Sequence, residues 1–201
     1  MAGRVRLCAL SVFIYIGAWA QVIEFESGGL KYQTLTRSDV TIMFARMPTH
    51  MRDFSILQVA VSNGSHAPYV IRPEDFRYTR GDGSVIRAIG ARQVVNLLLE
   101  KGSRSDVIKL VAAYESGLYG IQRMLSTNSY EQRRQAALAE VQSTKIKAAA
   151  AASAIALVQT RLSPGQSTDG AVFFPNEGTK PLSSGHLVVT TNTDNFEFKA
   201  E

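Results

Sequence analysis

Soft-metal binding is the first chemistry that residue types and spacing suggest in this chain. Met43, Met47, His50 and Met51 fall within nine residues of one another. Thioether sulfurs and an imidazole are ligands that suit Cu(I). Met47, His50 and Met51 are therefore candidate metal ligands. The alternative is that Met43 packs in the core while the other methionines fill gaps around the turn at Pro48.

The sequence contains no arrangement of residues that indicates a hydrolytic enzyme. A catalytic triad brings together a nucleophile, a base and an orienting acid, but His50, His66 and His186 fall near predicted turns or strand starts, and no Gly-x-Ser-x-Gly sequence accompanies them. Glu74 and Asp75 are neighbours on a segment predicted to be extended, so they point to opposite faces and do not form the carboxylate pair of a glycosidase. There is no glycine-rich phosphate loop. We expect a protein that is not an enzyme and that uses no cofactor.

Positive charge is concentrated in one part of the chain. Residues 90–163 hold ten lysines and arginines against five acidic residues, whereas the rest of residues 21–201 holds ten against twelve. Such a segment attracts anionic groups, so we expect it to contact an envelope protein or an anionic envelope surface. The alternative is that these are solvated helix faces. Nucleic acid is not expected, since the segment lacks interleaved aromatic residues. The candidate contact residues are Arg123, Arg133, Arg134, Lys145 and Lys147.

The first twenty residues have the three parts of a secretory signal peptide. Two arginines precede the apolar run 7–16, and residues 18–20 give an Ala-x-Ala cleavage site before Gln21. The apolar run is shorter than the roughly 20 residues that span a bilayer. Cys8 lies too early to be the modified cysteine of a lipoprotein, so no lipid anchor is expected. The sequence predicts a secreted or periplasmic protein.

Composition places the chain among ordinary globular proteins. Its 201 residues are 45% apolar and 19% charged, with 15 glycines and 6 prolines. The single cysteine excludes an intramolecular disulfide framework and a thiolate zinc cluster. It falls in the predicted signal peptide, and a mature chain without a thiol suits an oxidising compartment. Stability must then come from a packed core, and a chain of this length can bury about 70% of its unfolded surface.

Two stretches show the alternating apolar pattern of strands. In residues 30–89, alternation is clearest at 40–44 and 53–62, and turn formers separate the runs. Gly81-Asp82-Gly83 predicts a hairpin, because glycines adopt the positive φ that such turns require. The pattern returns after residue 164, at 171–174, 186–191 and 196–198. We therefore predict a β-sandwich built from residues 21–89 and 164–201.

Between these stretches, residues 90–163 repeat their apolar positions every three or four residues, as helices do. A first helix is predicted from Ala91 to Lys101, a second from about residue 106, and a third from about residue 130 to residue 163, where Pro164 ends it. The apolar stripe from Ala148 to Ile155 is a candidate surface for homo-oligomerisation.

Helix lengths suggest how these elements are arranged. The first two helices, of roughly 12 and 21 residues, would lead away from the strands, and the third, of about 34 residues, would lead back. At 1.5 Å per residue, the outward and the return path would each be about 50 Å long. The two ends can then lie together, as they must if a helical hairpin is inserted between strands of one sandwich. The alternative is three helices folded flat against the sheet, and periodicity does not decide between the two.

The strand segments resemble secreted bacterial immunoglobulin-like domains of the telokin-like type. The resemblance rests on residues 57–63, on residues 69–76 with the Gly-Asp-Gly hairpin that follows, and on the Ser-Pro-Gly-Gln-Ser stretch 163–167 before Gly-Ala-Val-Phe-Phe-Pro at 170–175. It covers about half of the mature chain and departs from the simple domain at the helical segment. Because these domains share no catalytic residues, the resemblance implies binding or scaffolding.

The sequence thus predicts an α+β protein, an immunoglobulin-like antiparallel β-sandwich with an inserted α-helical hairpin. Residues 1–20 are the signal peptide and residues 90–163 the helical insertion. The expected function is binding or assembly in the cell envelope, with the insertion as the contact surface. Periplasmic Cu(I) binding or metal delivery through the methionine and histidine cluster is the alternative.

Overall fold

The computed structural model describes residues 21–48, 54–101, 153–176, 182 and 184–199. The predicted signal peptide, the predicted second helix and most of the predicted third helix lie outside these residues.

A five-stranded antiparallel sheet is built mainly from the first third of the chain. Its order is β1-β2-β3-β4-β9. The β2–β3 turn places Ser38 and Asp39 at φ values of 47° and 60°, a left-handed conformation that a short polar residue such as aspartate tolerates. The strands are β1 Ile23–Ser27, β2 Leu30–Arg37, β3 Val40–Arg46, β4 Phe54–Asn63 and β9 Ser167–Pro175.

Two further sheets complete the strand architecture. The four-stranded sheet has the order β11-β10-β6-β7, and β5 pairs with β8 in a two-stranded sheet. A 3₁₀ turn at Pro73–Asp75 leads into β6. The strands are β5 Tyr69–Ile71, β6 Phe76–Arg80, β7 Val85–Arg87, β8 Thr160–Leu162, β10 Gly185–Thr190 and β11 Asn195–Glu197.

The main core lies between the sheets. The five-stranded sheet contributes Leu35 of β2 and alternate residues of β3, β4 and β9, and the four-stranded sheet faces them with residues such as Phe76, Leu187 and Phe196. Phe44 meets Phe198 edge to face, with ring centroids 4.9 Å apart. Mostly antiparallel sheets around one core are consistent with a β-sandwich, as the alternating pattern predicted.

Strands from before and after the predicted helical segment pair with each other. β4 pairs with β9, β6 with β10, and β5 with β8, all antiparallel. The two separated strand regions of the sequence therefore belong to one body with a shared interior. A structure with two independent cores would have contradicted the prediction.

The helix predictions hold at one end of the segment and fail at the other. Helix α1 spans Ala91–Lys101, as predicted. The third helix was predicted to reach residue 163, but Thr160–Leu162 form strand β8 and residues 153–155 are the helical residues described there. Leu162 continues the apolar spacing of the predicted helix, but it is buried in the main core as part of β8. Thr160–Leu162 pair with Tyr69–Ile71, and a helix at these residues would lose the hydrogen bonds of that strand pairing.

Strand β1 is a second departure from the sequence prediction, which began the strand region at residue 30. Ile23 and Phe25 alternate with Glu24 and Glu26, a strand pattern too short to stand out. All five residues of β1 pair with β2. In the described ranges, no helix combines the length and hydropathy that crossing a bilayer requires.

Candidate functional site

The chain leaves the strand body and returns to it at one edge of β9. The amide of Ile89 donates to the carbonyl of Phe173 at 3.0 Å, and the amide of Leu157 donates to the carbonyl of Ala171 at 2.8 Å. Ala156 also forms a parallel bridge with Ala171. Two residues span about 7 Å along a strand. The start and end of residues 90–155 are therefore fixed close together, on a rigid element.

A glycine makes this attachment possible. A Cβ on Gly170 would lie 2.6 Å from the Cα of Leu157 and 2.8 Å from its backbone nitrogen. Backbone atoms cannot give way as a flexible side chain does, so the returning chain packs against β9 only because residue 170 has no side chain.

Both described ends of this segment are helical and contain buried residues. At the start, the amides of Gln93 and Val94 donate to the carbonyl of Gly90, and Val94 is fully buried. At the end, Ala154 and Ile155 are buried. Ile155 belongs to the stripe predicted for homo-oligomerisation, so this end of the stripe is covered within the chain. The remainder of the stripe lies outside the described residues.

The residues predicted to contact an anionic surface are not described by the structure. Arg123, Arg133, Arg134, Lys145 and Lys147 all lie outside the described residues, and their role stays a prediction.

Two residues of the methionine and histidine cluster are described, Met43 and the candidate ligand Met47, and both are buried. Met43 belongs to a small apolar cluster on the outer face of the five-stranded sheet, and Met47 is 2% exposed. They are four residues apart, about 13 Å along an extended chain. His50 and Met51 lie outside the described residues, so convergence of Met47, His50 and Met51 stays a prediction.

The described histidines and carboxylates do not come together in a way that could hold a metal ion. No group of three or more His, Cys, Asp or Glu side chains suited to a metal occurs in the part of the chain that the structure describes. His186 lies 3.8 Å from Glu197 across β10 and β11, and His66 is exposed.

Asp75 has a structural role. The 3₁₀ turn replaces the extended segment predicted for it and Glu74. Its Oδ2 accepts from the amide of Arg72 at 2.8 Å, and burial raises the pKa of its carboxyl above the usual value.

An open groove of about 770 Å³ lies where the β1–β2 hairpin meets the end of β3. The sequence prediction missed it, because it depends on the pairing of β1 with β2. Its polar lining comes from residues opposite one another in the sheet, since Glu24 pairs with Gln33 and Glu26 with Lys31. The lining residues are Glu24, Phe25, Glu26, Gly29, Leu30, Lys31, Tyr32, Gln33, Arg46 and Pro48.

Arg46 connects this groove to the second sheet. Its Nη2 donates to the hydroxyl of Tyr78 at 2.6 Å, and its Nη1 donates to the carbonyl of Leu182 at 3.0 Å. Hydrogen bonds to a charged donor are stronger than those between neutral groups. The groove wall is therefore held by contacts between the sheets.

No protein-family model, curated protein or solved structure matches the chain. Function must accordingly be argued from the chain's own residues.

Proposed function

We propose that this chain is an exported, non-enzymatic binding or assembly protein of the cell envelope. Its platform is an immunoglobulin-like β-sandwich, and the helical insertion that leaves the edge of β9 is the contact surface. The partner is an anionic envelope surface, recognised by the basic residues Arg123, Arg133, Arg134, Lys145 and Lys147.

The attachment at β9 is the observation that carries this proposal. Ile89 and Leu157 bind Phe173 and Ala171 of the same strand, so the chain between them begins and ends on a fixed base. That base includes three pairs of strands contributed from both sides of the segment. A segment held in this way can present a surface without disturbing the core beneath it.

Charge supports the choice of partner. The segment has five more basic than acidic residues, while the remainder of residues 21–201 has two more acidic than basic residues. The insertion would therefore make the contact with anionic groups. The platform, whose net charge is slightly negative, would be repelled by those groups weakly or not at all. Salt should weaken this contact, since exposed charges are screened within about 10 Å at 0.1 M ionic strength.

Sedimentation with lipid vesicles tests the proposal. The mature chain that begins at Gln21 should sediment with vesicles containing phosphatidylglycerol and should not sediment with vesicles of phosphatidylcholine alone. Substituting Arg123, Arg133 and Arg134 with glutamine should lower the vesicle partition coefficient about a hundredfold, because three contacts worth about 1 kcal/mol each near a membrane surface are lost.

A matched variant removes the same amount of charge from described, exposed positions of the platform: Lys31→Gln, Arg87→Gln and Lys199→Gln. It should keep most of the binding. Equal losses in the two triple variants would show that net charge alone governs binding, and absence of binding by the unmodified chain would reject the lipid surface as partner.

A further inference from the structure

We propose that the outer edge of β1 is a docking site for an extended segment of another polypeptide, in which apolar and basic residues alternate. This segment would add to the five-stranded sheet as a sixth strand. The site is separate from the basic segment discussed above and does not depend on it.

The edge itself is the first observation. β1 is the first strand in the order of its sheet and has β2 as its sole strand neighbour among the described residues. In an antiparallel pair, alternate residues direct their backbone N–H and C=O groups away from the partner strand. An edge strand of this kind is a template for a further strand. At the opposite edge of the sheet, β9 is bridged by Ile89 and Ala156.

Exposed apolar side chains mark one face of this edge. Ile23 is 61% exposed and Phe25 is 39% exposed. They lie two residues apart on one face of β1, and the Phe25 ring stacks on Tyr32 with centroids 5.2 Å apart and planes 13° apart. Tyr32 belongs to the buried outer-face cluster. The exposed pair therefore continues an apolar surface that is buried further into the sheet, and apolar residues of an added strand would extend it.

The other face of β1 is acidic and selects the partner. Glu24 and Glu26 are exposed and lie on the opposite face from Phe25. In an antiparallel pair of two β1 strands centred on Phe25, Glu24 would face Glu26 of the other copy twice. Like charges directly opposite are destabilising, and opposite charges contribute roughly 0.2–1 kcal/mol per pair. The acidic face therefore disfavours a second copy and favours a segment with lysine or arginine at alternate positions.

Gln33 is an independent sign that this face lacks a partner. It is 6% exposed, lines the groove and lies opposite Glu24. Its Oε1 is buried and accepts no hydrogen bond within the described part of the chain. A buried acceptor left unsatisfied costs about 1–3 kcal/mol. Gln33 lines the groove, so a lysine of the added strand that reaches past Glu24 would bring its ammonium close to this amide.

The proposal is tested by measuring peptide binding before and after the charges on β1 are reversed. The probe is a short, capped, fluorescein-labelled peptide in which valine and lysine alternate, and its counterpart alternates valine and glutamate. The purified protein should bind the lysine peptide more tightly, as measured by fluorescence anisotropy. The double variant Glu24→Lys, Glu26→Lys should reverse the preference, with about a tenfold weaker affinity for the lysine peptide, since two attractive pairs become repulsive.

Hydrogen exchange locates the binding. Addition of the lysine peptide should slow amide exchange in β1 and leave β11, an edge strand of the four-stranded sheet, unchanged. Glu197→Lys on β11 is the control for the same kind of substitution away from β1, with half the change in net charge, and should leave affinity for the lysine peptide within twofold of the unmodified protein. The double variant Ile23→Thr, Phe25→Thr retains strand-forming residues and should bind both peptides weakly, with an unchanged far-ultraviolet circular dichroism spectrum.

Three results would overturn the proposal. One is binding of the lysine peptide that survives the Glu24→Lys, Glu26→Lys exchange. Another is peptide binding without protection of β1. The third is a dimer of the unmodified protein in light scattering that the Ile23→Thr, Phe25→Thr variant lacks, because the occupant of the edge would then be a second copy.

Discussion

The amide of Ile89 donates to the carbonyl of Phe173 over 3.0 Å, although the two residues are separated by more than eighty positions in the chain. Phe173 lies in β9, whose next outward-facing carbonyl, that of Ala171, receives the returning chain at Leu157. One strand therefore holds both ends of residues 90–155. The helical ends of that segment are placed by β9 and not by their own sequence.

Adding a methyl group at Gly170 should loosen this attachment. In Gly170→Ala the new Cβ would meet the Cα of Leu157 at 2.6 Å, so the backbone must shift and the hydrogen bond from Leu157 to Ala171 weakens. We expect a loss of about 1–3 kcal/mol in the free energy of unfolding, measured by urea denaturation. Gly29→Asn is the control, because Gly29 has a φ of +75° with open space around it, which asparagine tolerates. A smaller loss at Gly170 than at Gly29 would contradict the packing argument.

Removal of the Tyr78 hydroxyl should weaken the connection between the sheets. In Tyr78→Phe the charged Nη2 of Arg46 loses an acceptor at 2.6 Å. Hydrogen bonds to charged groups contribute about 1.5–3 kcal/mol, and we expect a loss in that range by urea denaturation. Tyr69→Phe removes a hydroxyl bonded to the neutral Thr191 at 2.8 Å and should lose about 1 kcal/mol. Equal losses in the two variants would show that the charge of Arg46 adds nothing.

Alkaline pH should destabilise the protein through Tyr32. Burial raises the pKa of Tyr32 from 10.0 to about 12. Between these values the folded protein holds the phenolic proton more tightly than the unfolded chain does. The stabilisation is therefore complete below about pH 10 and is lost as pH rises towards about pH 12. Urea unfolding at increasing pH should show this decline, and Tyr32→Phe should reduce it.

The decline should not disappear entirely in Tyr32→Phe, because burial also raises the pKa of Tyr69. Absorbance of tyrosinate near the alkaline end of the titration gives a second readout, and Tyr32→Phe should remove one late-titrating group. An unchanged absorbance titration in this variant would contradict the assignment.

Cu(I) titration distinguishes the methionine cluster from core packing. Met47 is almost fully buried, and Met43 packs among Leu30, Tyr32, Ala45 and Ala60. We therefore expect both methionines to serve packing, and the protein to bind Cu(I) no more tightly than a weak competing chelator under reducing conditions. Tighter binding that is lost in both His50→Ala and Met51→Ala would establish the copper alternative.

Several elements were predictable because their signals are local. Gly81-Asp82-Gly83 predicted the hairpin that joins β6 and β7, and the helical spacing of apolar residues predicted α1 from Ala91 to Lys101. Alternation at residues 40–44 predicted β3, whose Ile42 and Phe44 enter the main core. These features depend on backbone preferences within a few residues, which a sequence carries directly.

Other elements could not be predicted from local sequence, because their structure depends on pairing with a strand that is distant in the chain. Leu162 fits the helical spacing of the residues before it, yet β5 recruits Thr160–Leu162 into a strand. β1 has only five residues and no buried face of its own, so its pairing with β2 is what makes it a strand. The groove and the edge beside it arise from that pairing, and no local pattern indicates them.

The sequence by itself determined the strand–helix–strand order, the basic segment and the lack of an intramolecular disulfide, since each follows from residue types and short-range periodicity. Only the tertiary structure decided which strands join across the interruption, that both ends of the interruption meet on β9, and that Glu24, Phe25 and Gln33 border one groove. Hydrogen bonds between strands far apart in the chain make those choices, and their register depends on how the whole set of sheets closes around its core.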